Sequence, residues 1–258
     1  MRKGFSLVEL AIVLVILGLL VGGVMAGQSL IRASELRRVA TDMQKYQIAI
    51  KSFRGKHRGL PGDTALATSY YGARGGTAAD GYTTSCATGP SSGPATCNGN
   101  HNGIVDHGTY EMFTFWQHLS NAGLIEGAYT GFHGSEGTLD HDRGRNAPSA
   151  TLSQATWYTY DRPQAAGDAV YFTMETPRAL GIGRDNGGDT LPNGPVMRPE
   201  EAWNIDGKVD DERPGTGRVI AVNWDSCTNA PTRDGRMEAQ YVLGNKELLC
   251  SLLFVQAI

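Results

Sequence analysis

The residues whose types and spacing could do chemistry fall into a few groups. The sharpest is the stretch CNGNHNGIVD over 97–106. Asn98, Asn100 and Asn102 alternate, Gly103 follows, and Ile104 offers a backbone carbonyl before Asp106. That is the spacing of the first half of a calcium loop, with oxygens at positions one, three and five, glycine at six and a carbonyl at seven. Its charge departs from that pattern. No aspartate holds the early positions, and Thr109 stands where a bidentate glutamate belongs, so carboxylates must come from Asp106 with Glu111 or Asp63. The same residues also read as an Asn-Gly turn without an ion. A second acidic group is Asp206, Asp210 and Asp211. On a helix the first two share a face, where like charges repel unless a cation such as calcium neutralises them; a solvated acidic face, or a salt bridge to Lys208 or Arg213, is the expected alternative.

The cysteines Cys86, Cys97, Cys227 and Cys250 allow three pairings, and the sequence-local one joins Cys86 to Cys97 and Cys227 to Cys250. None lies in a CxxC, which speaks against zinc and redox motifs, and disulfides imply an oxidising compartment. The histidines at 57, 101, 107, 118, 133 and 141 form near-clusters only. There is no HExxH, GxSxG or P-loop, and GIGRDN lacks the third glycine of a dinucleotide fingerprint. The sequence therefore predicts no enzyme. Tyr70, Tyr71, Tyr158 and Tyr160 suit a carbohydrate or partner surface, or ordinary strand packing. A net charge of −3 over 258 residues gives no basic surface for nucleic acid.

The remaining chemical oddity is Glu9, a carboxylate inside the apolar run of MRKGFSLVELAIVLVILGLLVGGVMAG. Arg2 and Lys3 precede the run, which places the N-terminus on the cytoplasmic side and the body outside. Leu10 to Ile31 carries no charge over 22 residues, long enough to cross a bilayer. Three readings account for it. A cleaved secretory signal would use Val24-Met25-Ala26 before Gly27, but the run exceeds the usual ~7–15 residues. An uncleaved signal anchor accounts for length and orientation and leaves Glu9 unexplained.

The third reading uses every residue. KGFSLVEL resembles the prepilin-type cleavage and methylation signature of type IV pilins and type II secretion pseudopilins. The resemblance implies that prepilin peptidase cuts after Gly4, that Phe5 becomes the N-methylated N-terminus, and that Glu9 acts in assembly. The new amine and a neighbour's carboxylate would attract strongly in a low dielectric, and an unpaired carboxylate would penalise a wrong register. Further on, LPGD, the Asn/Gly-rich turn, WQHL with AGLI, and AWNIDGKVDD with GTG before two late cysteines resemble one group of large bacterial pilin-like proteins. The size resembles a minor subunit more than a major pilin, and the presence of Glu9 argues for a place below another subunit. Calcium is familiar among the type II pseudopilins that the chain resembles. The implied partners are other pilins or pseudopilins, the peptidase, an inner-membrane assembly platform, and the membrane itself before assembly, with the body in the periplasm. The alternative function is a signal-anchored or secreted extracytoplasmic binding or enzymatic domain.

The elements that must position these groups follow from periodicity. After Gln28, Leu36, Val39, Met43, Tyr46, Ile50 and Phe53 recur every three or four residues, one apolar stripe on a helix. Glu35 with Arg38 and Asp42 with Lys45 are expected surface pairs. Gly55, Gly59 and Pro61 should end the helix near Arg54, making it roughly 75 Å long from Phe5. A helix is expected within TYEMFTFWQHLSNAGLIEG, capped by Gly123, and a short one near Pro199. Strands are expected at ATWYTYD, DAVYFTME, GRVIAVNW and ELLCSLLFVQ. The fold class is α+β, a pilin-like lollipop with one long N-terminal helix packed on an antiparallel sheet with long loops. The expected organisation is a leader at 1–4, a transmembrane or filament-core helix at 5–31, the amphipathic half at 32–58, and a periplasmic head at 59–258.

Overall fold

A computed structural model describes residues 6–74, 93–106, 110–137, 139–161, 170–175, 178–188 and 190–258. The first helix, α1, runs unbroken over Leu7–His57. It passes through Gly55 and stops at Arg58, whose left-handed backbone caps it with an N–H···O bond of 2.9 Å to the Arg54 carbonyl. Its exposed first half holds the apolar run, and the stripe from Val39 to Phe53 is buried, with Leu36 half-buried. Its surface pairs differ from those expected. Arg38 reaches Asp42 at 3.1 Å, Lys45 reaches Glu126 at 3.5 Å, and Glu35 pairs with Arg32 at 3.3 Å.

Among the described residues four further α-helices follow: α2 Ala67–Tyr71, α3 Glu111–Asn121, α4 Pro199–Val209 and α5 Trp224–Cys227. The strands are β1 Ala155–Tyr160, β2 Ala179–Arg184, β3 Val219–Val222 and β4 Ser251–Phe254, all paired antiparallel in the order β1-β2-β4-β3. Three fall within expected runs. The strand β2 does not: ALGIGR carries two glycines, which read against a strand. The fold requires them. A Cβ on Gly181 would meet the Tyr158 ring at 2.1 Å, and one on Gly183 would meet the Pro192 carbonyl oxygen at 2.2 Å. The described part of DAVYFTME, Val170–Glu175, forms no strand; its Tyr171 and Phe172 pack on the sheet instead.

Side chains of one strand alternate between two cores. On one face Trp157, Leu180, Ile182, Val219, Ala221, Leu252 and Phe254 join the stripe of α1 with α3 and α4. Tyr46 sits edge-on to both Trp116 and Trp157, with ring centroids 5.2 and 5.3 Å away. On the other face Tyr158, Tyr160, Ile220, Val222 and Leu253 pack with Met112, Phe113, Tyr171 and Phe172. The sheet is thus covered on both sides, and the long loops supply much of the second cover. Tyr158 and Tyr160 are thus strand-packing residues, the second of the two readings given for them, and not surface aromatics. Cys227 is bonded to Cys250 across 23 residues of sequence, as in the sequence-local pairing. Cys97 is also disulfide-bonded; its expected partner, Cys86, lies outside the described residues.

Candidate functional site

Ser6 is the N-cap of α1. Its hydroxyl accepts from the Val8 N–H at 3.4 Å, and its own N–H donates to Glu9 Oε2 at 2.8 Å, a reciprocal capping box. Glu9 therefore folds back on the first turn, its charge favourable at the helix N-terminus. Gly4 and Phe5 lie outside the described residues. From Leu7 to Met25 no side chain is covered by the rest of the chain. By length and composition this one helix can cross a membrane.

At the point where charge begins, Arg32 forks onto Glu201 of α4, with Nε–Oε1 2.7 Å and a second bond of 2.8 Å to Oε2, and donates to the Val196 carbonyl at 3.0 Å. Burial alone would raise the Glu201 carboxyl, but bonds from Arg32 and the Arg198 N–H bring it below its ordinary value. This fork clamps the exposed half of α1 to the head, and sequence reading gave no sign of it because its partners are 169 residues apart.

The loop 98–106 is organised around carboxylates from other elements. Asp63, in the turn after α1, accepts the N–H groups of Asn102 at 2.9 Å and Gly103 at 3.0 Å. Glu111, opening α3, accepts those of Asn100 and Asp106, both at 2.9 Å. Asp161, just past β1, accepts that of Val105 at 3.0 Å. The two expected outside acids, Asp63 and Glu111, are thus brought to the loop, and Asp161 is an addition. Burial is the main force on all three. It raises Asp63 and Asp161 and pushes Glu111 up to about 7, against the pull of the N–H donors.

Of the nominated oxygens, Asn98 Oδ1 caps the Thr68 N–H at 2.8 Å, Asn100 Oδ1 accepts from the Asn102 N–H at 3.0 Å, and Asn102 Oδ1 accepts from the Ile104 N–H at 2.8 Å. The amide groups of Asn100 and Asn102 then both donate to Asp106, at 2.7 and 2.9 Å. Ile104 sits in the bend between Asn102 and Asp106. Thr109 lies outside the described residues. His118 of α3 closes the knot: its Nδ1 accepts the Gly62 N–H at 2.9 Å and its Nε2 faces the Cys97 carbonyl at 3.2 Å. Burial lowers this imidazole to about 3, which keeps it neutral, and because Nδ1 accepts the Gly62 N–H the proton sits on Nε2.

Residues 1–25 match the description "prokaryotic N-terminal methylation motif". No match is found among curated proteins or solved structures. The chain fits a type IV pilin or pseudopilin. The segments LPGD, NGNHNG and WQHL, scattered in sequence, meet behind the C-terminal end of α1, where Gly62 bonds His118 and Asn102 bonds Asp63. Gly62 has φ +85°, and a Cβ there would meet the Glu111 carbonyl oxygen at 2.6 Å.

The second acidic group lies at the end of α4. Oxygens of Asp206, Asp210 and Asp211 come within 4.8 Å of one another. The expected relief by Lys208 or Arg213 side chains is not what the pilin-like head uses. Asp206, fully buried, accepts from the Tyr241 hydroxyl at 2.8 Å and from the Glu212 N–H at 3.3 Å. Asp210 takes the N–H groups of Arg218 and Val219, and Asp211 those of Arg213 and the Thr216 hydroxyl. Burial first, then repulsion from Asp211 and Asp210, pushes Asp206 up to about 7. The cluster fastens the α4–β3 connection through hydrogen bonds.

Proposed function

We propose that this protein is a non-enzymatic structural subunit of a type IV filament-like machine, a pilus or a secretion pseudopilus. The observation that carries the reading is the methylation motif at residues 1–25 continuing into one exposed apolar helix. In this reading residues 1–4 are a leader removed by prepilin peptidase, Phe5 becomes the methylated N-terminus, 5–31 spans the inner membrane and later the filament core, 32–58 is the amphipathic half of the helix, and 59–258 is the periplasmic head. The length of the head favours a minor subunit, and Glu9 a place beneath another subunit. The partners are other pilins or pseudopilins, the peptidase and the inner-membrane assembly platform.

The geometry supports a specific role for Glu9. One carboxylate oxygen is held by the Ser6 N–H of its own chain, so the group is oriented before assembly. Its second oxygen is left for the methylated amine of a neighbour, where a low dielectric strengthens the attraction. The mass of the N-terminal peptide from cell-purified protein tests the pathway. A methylated chain beginning at Phe5 is expected; a start at Met1 would make the segment a signal anchor, and one at Gly27 a secretory signal. Glu9→Ala should insert in the membrane normally and fail to enter filaments. Normal incorporation of that variant would remove this role from Glu9.

A further inference from the structure

Beyond the filament reading, the head carries a cationic concavity that no part of that reading uses. It has a volume of about 470 Å³ and lies where α1 ends, lined by Arg54, Arg58, His101, Asn102 and Arg178 over Asp63. At 1.5 Å per residue, Arg58 is roughly 40 Å along α1 from the end of the apolar run, so the concavity lies far from the apolar segment. Among the described residues, none of the three guanidinium groups has a carboxylate within ion-pair distance. Arg178 does act on Asp161 by charge, but that acid is 3% exposed and already holds the Val105 N–H. Asp63 is closed off in the same way, 1% exposed beneath the Asn102 and Gly103 N–H groups.

The backbone makes the arrangement more than a scatter of surface arginines. Seven described non-glycine residues have positive φ, and three of them line this one concavity: Arg58 at 53°, His101 at 60° and Arg178 at 41°. Left-handed backbone crowds Cβ against the following carbonyl, so glycine is the ordinary occupant. Here cationic or donor side chains stand at all three positions, and such outliers concentrate where a ligand is held.

We propose that this concavity binds a terminal phosphate group, as inorganic phosphate or a phosphate monoester. A carboxylate has two oxygens and satisfies one planar fork. Three arginines facing one concavity match an anion with three terminal oxygens and a charge near −2. The volume leaves room for the substituent of a monoester beside the phosphate.

The test uses the full chain in a non-ionic detergent at low ionic strength, about 20 mM, where exposed charges are little screened. Calorimetric titration compares inorganic phosphate, dimethyl phosphate and acetate. Saturable phosphate binding is expected, with the diester and acetate weaker by roughly tenfold or more because each offers only two oxygens. Arg178→Gln and Arg58→Gly should each weaken phosphate by about tenfold. Arg58→Gly also relieves the left-handed position, so its melting temperature should hold or rise, which keeps the test decisive if the other variant folds poorly. No saturable phosphate binding, equal binding of the three anions, or unchanged affinity in both variants would overturn the proposal.

Discussion

Glu111 and Asp206 are the residues where physical chemistry is most exposed to test. Both are fully buried, both accept hydrogen bonds from donors that favour the charged form, and burial nonetheless pushes each to about 7. In the unfolded chain both titrate near the ordinary carboxylate range of about 4. Between those values the native state keeps a proton that the unfolded state has lost. The contribution is therefore fully present below pH ~4 and is lost as pH rises through about 7. Glu201 is shifted the other way, below its ordinary value, so its effect falls at more acidic pH. The melting temperature, followed by tryptophan fluorescence from pH 5 to pH 8, should fall across that range. Glu111→Gln and Asp206→Asn should each flatten the slope, each by an amount on the order of 1–3 kcal/mol. A slope identical in both variants would place the proton elsewhere.

At the scale of elements, β2 shows what a weak strand signal can hide. Its two glycines lower strand propensity, yet it pairs with both β1 and β4 and lies second in the sheet order. The reason is the Tyr158 ring, which lies over Gly181, fully buried, with its hydroxyl 3.2 Å from that of Tyr171. Gly181→Ala should push that ring out of the second core. Overpacking of this kind costs about 2–3 kcal/mol, or roughly 5–10 °C in melting temperature for a chain of this size. A variant that melts like the parent would show that the ring can turn aside freely. The helix α1 illustrates the opposite case. Its stripe is plain in sequence, but its surface ion pairs are not, because three- and four-apart partners compete by small differences in side-chain reach.

For the whole molecule, the question is what holds long loops that lack secondary structure. Expectation from the sequence is ion or disulfide support. The structure has the Cys227–Cys250 bond, a third bonded cysteine at Cys97, and a loop 98–106 wrapped on Asp63, Glu111 and Asp161. With the asparagine oxygens of that loop engaged by backbone N–H groups, we expect it to keep its shape without calcium. Adding EDTA to the purified chain should then leave its melting temperature unchanged. A fall on chelation that calcium reverses would give the loop back to the metal, with Asp106 and the nearby acids as its ligands.

The sequence by itself determined the parts whose signal is local. The leader-like basic start, the uncharged run, Glu9 and the apolar stripe lie within about 60 consecutive residues, and helical periodicity needs nothing more distant. The helices α3 and α4 and the strands β1, β3 and β4 are legible for the same reason: each has its own periodic mark, whereas the cysteines left three pairings open and the structure chose Cys227–Cys250. Only the tertiary structure decided which side chains meet across long separations. Asp161 reaches Val105, Arg32 reaches Glu201, and Arg54 and Arg58 share a concavity with Arg178. No pattern along the chain records these meetings. They exist because two hydrophobic cores fix where the sheet, α1 and the loops lie, and the polar groups then bond whatever that packing brings within reach.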